Sequence, residues 1–323
     1  MLPAHFYAES RVLIVAGKGG VGKSTAAATL ARSASRAGLT SLLVRLAPGG
    51  PVAGLFAGPE PDLDGAVLRP ATGAEAEVRG RLVTPDHALA EYLDDNGLSR
   101  ITRRLVRAGA IDVVTTAAPG IRDLLVLGRV KAMEVAGAAE VIVLDAPAAG
   151  HAIEFLRSPT GLRAAVGSGP IASQADGVLE MLADGSRCRV VLVTVPEETP
   201  VTEVVETAFA LEDEIGVHLG PVIVNSVLDA PEGLDRDPGE MATADDMALA
   251  SDTIDALRAA ATFRLERVER QRAQLERLAA LLPLERIELP WLPTVTPGPA
   301  ALERLTDALD SGLMTMAAPG AVT

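Results

Sequence analysis

The chain has 323 residues, enough to bury a large core in one big α/β domain or two smaller ones. Its formal charge of −14 argues against tight nonspecific binding to nucleic acid, which depends on Lys and Arg neutralising phosphates. Aromatic residues make up only 2%, so the core must be built from Ala, Val, Leu and Ile. The single cysteine, Cys188, excludes an intrachain disulfide and argues against a Cys-built zinc or arsenite site within one chain.

Residues 1–10 read as a short, loosely held leader. No charged n-region with an apolar h-region opens the chain, and no apolar run of about 18 residues occurs in it. The expected location is therefore cytoplasmic, with at most peripheral membrane contact. Arg11 to Ala16 reads as an apolar run suited to a strand buried on both faces of a parallel sheet. After a Gly-rich stretch, an Ala-rich helical pattern runs from Lys23 to about Ala37, with Gly38 as its stop. Ser41 to Leu46 predicts a second buried strand, ending in the irregular Ala47-Pro48-Gly49-Gly50. Residues 51–80 give no clear element. Arg81 to Thr84 is a candidate strand, and Pro85 to Asp95 and Ser99 to Arg107 read as helices broken near Asn96-Gly97.

Thr116 to Asp123 opens a helix that runs to about Ala136, and Glu140 to Asp145 is a third strand, apolar and ending in an acid. Gly169-Pro170 to Leu182 predicts a helix, Arg189 to Val195 a fourth strand, and Pro196 to Glu203 the opening of a long amphipathic helix. Gly220 to Asn225 is a fifth strand. Residues 229–250 are acidic and read as a mobile loop, followed by a long helix of alternating charge from Asp252 to about Leu282. Glu285 to Leu289 is a last strand, and Ala300 to Leu313 a closing amphipathic helix. This alternation predicts an α/β fold, a doubly wound and mainly parallel sheet with helices on both faces. No boundary divides it, so 1–323 is expected to form one domain, with 229–285 as an insertion-like region.

The chemistry concentrates in one loop. Gly17, Lys18, Gly19, Gly20, Val21, Gly22, Lys23 and Ser24, with Thr25 next, fit G-x-x-x-x-G-K-[ST] between a strand and a helix. Glycines let backbone N–H groups turn inward and approach phosphate, and the helix N-terminus adds free N–H groups and a positive dipole end. The motif puts Lys23 at the β/γ-phosphates and the Ser24 hydroxyl at Mg²⁺. The chain has three lysines, Lys18, Lys23 and Lys131, and two of them stand in this loop. Lysine is a compact point charge and arginine a wide fork, so the two are not interchangeable against phosphate. Asp145 is placed to hold Mg²⁺ directly or through water, or else to cap the next helix. Arg100, Arg103, Arg104 and Arg107 form either a basic patch or a solvated helix face.

The box KGGVGKST resembles the deviant Walker A loop of the ParA, MinD, NifH and ArsA ATPases. The resemblance implies the P-loop NTPase fold, ATP or ADP with Mg²⁺, and a dimer in which Lys18 reaches the partner's nucleotide much as an arginine finger does. Lys18, Lys23 and Asp145 would then be catalytic, and Ser24 and Asp145 would hold the metal. Asp145 to His151 resembles the D-A-P-P-T-G-[RH] switch II of ArsA-like proteins, implying a Gly150 N–H at the γ-phosphate. His151 reads equally as a solvated side chain. Pro119 to Asp123 resembles the P-G-x-x-[ED] segment of that branch. Pro196 to Glu203 resembles its P-E-x-x-x-V-x-E segment, although an acidic helix start explains the same residues.

Asn225 falls where that branch recognises adenine, though a turn-forming Asn would also suit a strand end. Pro293 falls in its second base loop. The resemblance spans roughly 11–313 and is nearest to bacterial single-domain ArsA-like proteins that occur as paired paralogues. The implied partner is a second copy or such a paralogue, with a client protein or membrane contacted peripherally.

One departure bears on activity. Ala47 stands where the branch usually has the switch I Asp of D-P-A. A methyl group cannot orient water, and neighbouring Arg45 and Leu46 do not replace a carboxylate. A hydrolysis-deficient partner subunit is therefore the alternative expectation. A ParA/MinD-type positioning ATPase is a third, disfavoured by the acidic charge and the non-basic final helix.

Overall fold

A computed structural model describes residues 4–95, 97 and 120–316, giving the backbone course alone for 148–150. Among the described residues the strands β1 (Val12–Gly17), β2 (Ser41–Arg45), β3 (Ala66–Arg69), β4 (Val78–Leu82), β5 (Val141–Ala148), β6 (Cys188–Thr194), β7 (Val222–Val227) and β8 (Arg286–Pro290) form one sheet. Its order is β3-β4-β2-β5-β1-β6-β7-β8, parallel throughout except for the outer pair β3 and β4. The order reverses at β1, where β5 lies on one side and β6 on the other. That places the β1 exit at a topological switch point, where ligands bind in such sheets.

The doubly wound reading holds because the central strands are apolar on both faces. Val12, Ile14, Ile142 and Leu144 join the core on one face, and Leu13, Val15, Val141 and Val143 the core on the other. Helix α1 (Ala4–Ala8) precedes β1, and α2 (Lys23–Arg36) follows it. Ala26, Ala27, Ala28, Ala31 and Ala34 of α2 are all buried. Side chains this small let the helix lie close to the sheet. The other described α-helices are α3 (Val52–Phe56), α4 (Pro85–Asp95), α5 (Ile121–Val135), α6 (Ala149–Ala165), α7 (Pro170–Ala183), α8 (Glu198–Ala210), α9 (Pro238–Ala244), α10 (Ser251–Leu281) and α11 (Pro299–Met316), and a π-helical turn, Leu211–Ile215, follows α8.

The structure corrects several expectations. Residues 4–10 are docked rather than loosely held: Tyr7 is buried and its hydroxyl donates to the Leu30 carbonyl at 3.1 Å, while Ser10 donates to Gly185 at 2.8 Å. The strand expected at 81–84 lies at 78–82 instead. Helix α6 runs through Pro159 and Gly161, residues that break a helical pattern when read from sequence. Proline cannot donate to the Phe155 carbonyl one turn back, and the Ser158 hydroxyl donates there at 2.9 Å instead. The stretch 229–250 holds a short helix, α9, whose cap Asp237 accepts from the N–H groups of Gly239 and Glu240. The expected helix Ser99–Arg107, its four arginines and Thr116–Pro119 lie outside the described residues.

At its far end α2 is locked by charge. Arg32 has 2% side-chain exposure. It donates from Nε to Glu303 of α11 at 2.8 Å and from Nη2 to Glu75 at 2.8 Å. One turn on, Arg36 bonds Asp307 at 2.6 Å and also pairs with Glu303. Removing one partner of a buried ion pair strands the others, whereas an exposed pair contributes little. Arg32→Ala is therefore expected to lower unfolding stability by about 3 kcal/mol in denaturant titration. Arg258→Ala, which removes the exposed pair with Asp237, should leave the same titration nearly unchanged.

The hydrogen bond from Arg32 holds Glu75 below its ordinary value of 4.5. A carboxylate depressed in the folded state stabilises the fold above that value and loses its contribution as pH falls through the folded value. The stability gap between parent and Arg32→Ala should accordingly narrow below pH 4.5.

Candidate functional site

The loop from Gly17 to Gly22 joins β1 to α2 at the switch point. Two of its glycines are required by contact. A Cβ on Gly17 would stand 2.2 Å from the Val193 carbonyl oxygen of β6. Gly22 takes the left-handed φ of +90° at the N-cap of α2, and a Cβ there would stand 2.2 Å from Asn225 Nδ2. Gly22 caps α2 without a side-chain hydrogen bond, so the first N–H groups of the helix have no side-chain cap at this loop.

Ser24, in the first turn of α2, donates to Asp145 Oδ2 at 2.6 Å. Asp145 is brought there by the register of β5 on β1, where it stands beside Val15. Burial raises its carboxyl above the ordinary range, against the opposing pull of the Ser24 hydrogen bond, Arg45 and Lys23. Burial likewise lowers the Lys23 ammonium, with Asp145 working the other way. Lys23 Nζ donates to the Lys18 carbonyl at 3.0 Å. Lys23, Ser24 and Asp145 therefore form one compact group of cation, hydroxyl and carboxylate.

Lys18 points elsewhere. Its ammonium bonds Glu203 of α8 at 2.7 Å and is well exposed. Asn225, in β7, donates from Nδ2 to the Val21 carbonyl at 2.9 Å, bracing the loop from behind. β7 continues past it to Val227, with Ser226 at φ +61° where the ladder shifts register. Gln271 of α10 fastens this exit, accepting from Leu228 N–H at 2.8 Å and donating to the Ser226 carbonyl.

Switch II departs from the expected loop. β5 runs three residues past Asp145, and α6 begins at Ala149, so Gly150 sits in the first turn of a helix. Pro293 lies exposed between β8 and α11. From that stretch Trp291, not Pro293, lines the cleft of about 730 Å³ that opens beside Lys18, Gly19 and Val21. Arg264 of α10 lies over the Trp291 ring at 5.2 Å. The second base loop that the resemblance implies, Pro290 to Pro293, includes this aromatic, the chain's one tryptophan, although Pro293 alone is named there as a base contact.

Ser24 and Asp145 offer oxygen donors of the kind Mg²⁺ prefers, and their 2.6 Å contact shows that both can face one small ion. Among the described residues no group of three or more His, Cys, Asp and Glu could hold a metal, and no helix is long and apolar enough to cross a membrane. Burial pushes the Cys188 thiol up to about 12, so it offers no reactive thiolate.

The Gly22 geometry is testable. Gly22→Ala should cost about 2 kcal/mol, part from left-handed strain and part from the clash with Asn225. Adding Asn225→Ala should recover about half, read as the coupling in a double-mutant stability cycle.

Residues 10–168 match the family model of the anion-transporting ATPases. The ATPase BagA of Mycobacterium tuberculosis is 34% identical over 223 residues, 67% of this chain and 64% of that protein. The putative arsenical pump-driving ATPase of Halobacterium salinarum is 26% identical over 239 residues, covering 68% and 36%. ATPase GET3C of Arabidopsis thaliana is 26% identical over 166 residues, covering 47% and 42%. The chain thus spans 64% of the length of the mycobacterial relative and less of the other two. Sheet order, phosphate loop and these matches agree in supporting an ArsA-like ATPase, matched to the family over residues 10–168.

Proposed function

We propose that this chain is an ATP-binding, Mg²⁺-dependent ATPase subunit of the cytoplasm, working as a nucleotide-sandwich dimer with a second copy or a paralogue. ATP binding and hydrolysis would be coupled to a client protein or a membrane process. The observation that carries the ATP reading is the Lys23–Ser24–Asp145 group at the foot of the glycine-rich loop. Lys23 leaves the Lys18 carbonyl for the β/γ-phosphates, and the loop N–H groups hold the remaining phosphate oxygens. Gly150, in the first turn of α6, offers a backbone N–H from the Asp145 side. Asn225 is the proposed adenine contact through its amide, and Pro293 a neighbour of the base. Mg²⁺ held by Ser24 and Asp145 would supply charge neutralisation between the phosphates.

The dimer is supported by Lys18. Its ammonium turns away from its own chain's phosphate site to an exposed bond with Glu203, from which it is free to reach a neighbouring nucleotide. Charge supports the absence of a nucleic-acid partner. Sedimentation with DNA or liposomes in ATP would instead favour a positioning ATPase.

A second reading rests on Ala47, exposed in the loop after β2, where the resemblance would put the switch I Asp. On that reading the chain binds ATP but hydrolyses it poorly, and a paralogue supplies the missing acid.

Lys23→Ala should lower ATP affinity about 100-fold by equilibrium titration, since the phosphates lose their main cation. Unchanged affinity in that variant would refute the site. Lys18→Ala should leave ATP binding by a demonstrated monomer unchanged and slow only dimer-dependent turnover. Steady-state hydrolysis by the chain alone separates the two readings: turnover supports a complete ATPase, and binding without turnover the partner-dependent subunit.

A further inference from the structure

Arg45 is the last residue of β2, and the ladder sets it beside Asp145 on β5. Neighbours in a parallel register share a face, and here it is the face of Leu43 and Val143, which α2 covers. The guanidinium therefore enters the same space as Ser24 and Asp145. Its side chain is 6% exposed. Nη1 donates to Glu60 Oε1 at 2.8 Å, and the same oxygen accepts the Gly49 N–H at 2.8 Å. Nε–H is buried, makes no hydrogen bond, and stands 3.9 Å from Asp145 Oδ2. A buried donor left unmatched beside a phosphate site is costly unless a ligand completes it.

We propose that Arg45 is a phosphate-reading residue of this site, contacting the terminal phosphate of a nucleoside triphosphate, with Glu60 setting its orientation. The inference rests on the ATP reading above and adds a residue to it. On that reading the loop 17–22 and the start of α2 would cradle the inner phosphates, and Asp145 with Ser24 would hold the metal ion that neutralises the terminal one. Arg45 neighbours Asp145 and not the loop, so it meets the terminal phosphate. A diphosphate ends short of it. Arg45 cannot do what a switch I carboxylate does for water, but its forked cation suits a phosphate dianion. Glu60 and the Gly49 N–H tie that cation to the loop carrying Ala47, so loss of the terminal phosphate would be felt there.

The test is the ratio of affinities of the full chain for the non-hydrolysable triphosphate AMP-PNP and for ADP, titrated in Mg²⁺. Arg45→Ala should weaken AMP-PNP about 10- to 100-fold and leave ADP within about twofold. Arg45→Lys should recover part of the loss, and Glu60→Gln should shift the ratio the same way by less. Equal weakening of both nucleotides, or of neither, in Arg45→Ala and Arg45→Lys would overturn the assignment while leaving the ATP reading intact. A parent chain that binds neither nucleotide would overturn both.

Discussion

The hydrogen bond from Ser24 to Asp145 joins the start of the phosphate-loop helix to the strand that supplies the acid, and it depends on how closely that helix is seated on the sheet. Two features of packing maintain it. The alanines of α2 bring the helix down onto the sheet without bulky spacers. At the other end Arg32 ties the helix to Glu303 and Glu75, so it cannot slide along its axis. The core of a chain with so few aromatics thus relies on close approach of small side chains, and on charge placed where α2 meets α11.

Around that bond the electrostatics are balanced on a small scale. Asp145 is raised by burial, and Ser24, Arg45 and Lys23 pull it back. Lys23 is lowered by burial and supported by Asp145. Each charge is tolerated because the others stand beside it, and on the proposed reading phosphate oxygens would take over some of these contacts. Lys18 lies outside this cluster, held by Glu203, and its different surroundings fit its different proposed role.

Much of this was legible in the sequence because the signals are local. The phosphate loop carries its own spacing, the central strands read as apolar runs, and α4 begins and ends where Pro85 and Asp95 suggested. What escaped notice depends on contacts across the fold. Helix α6 is hidden by Pro159, whose missing donor is replaced by a serine hydroxyl that no periodicity reveals. The N-terminal turn looks like a leader until Tyr7 finds its slot against α2. Arg45 ends a strand as many surface arginines do. Its meaning comes from the β2–β5 register and from Glu60, which lies in a stretch without pattern. Asn225 was read for a base contact, yet the same amide also braces the loop at Val21.

The measurement that bears most directly on this account is a calorimetric titration of the purified chain with ATP in Mg²⁺. Saturable binding of one nucleotide per chain, competed by ADP, is the predicted result. A folded chain that takes up no ATP under those conditions would contradict the account at its centre, since the loop, Lys23 and the Ser24–Asp145 pair would then serve the fold alone.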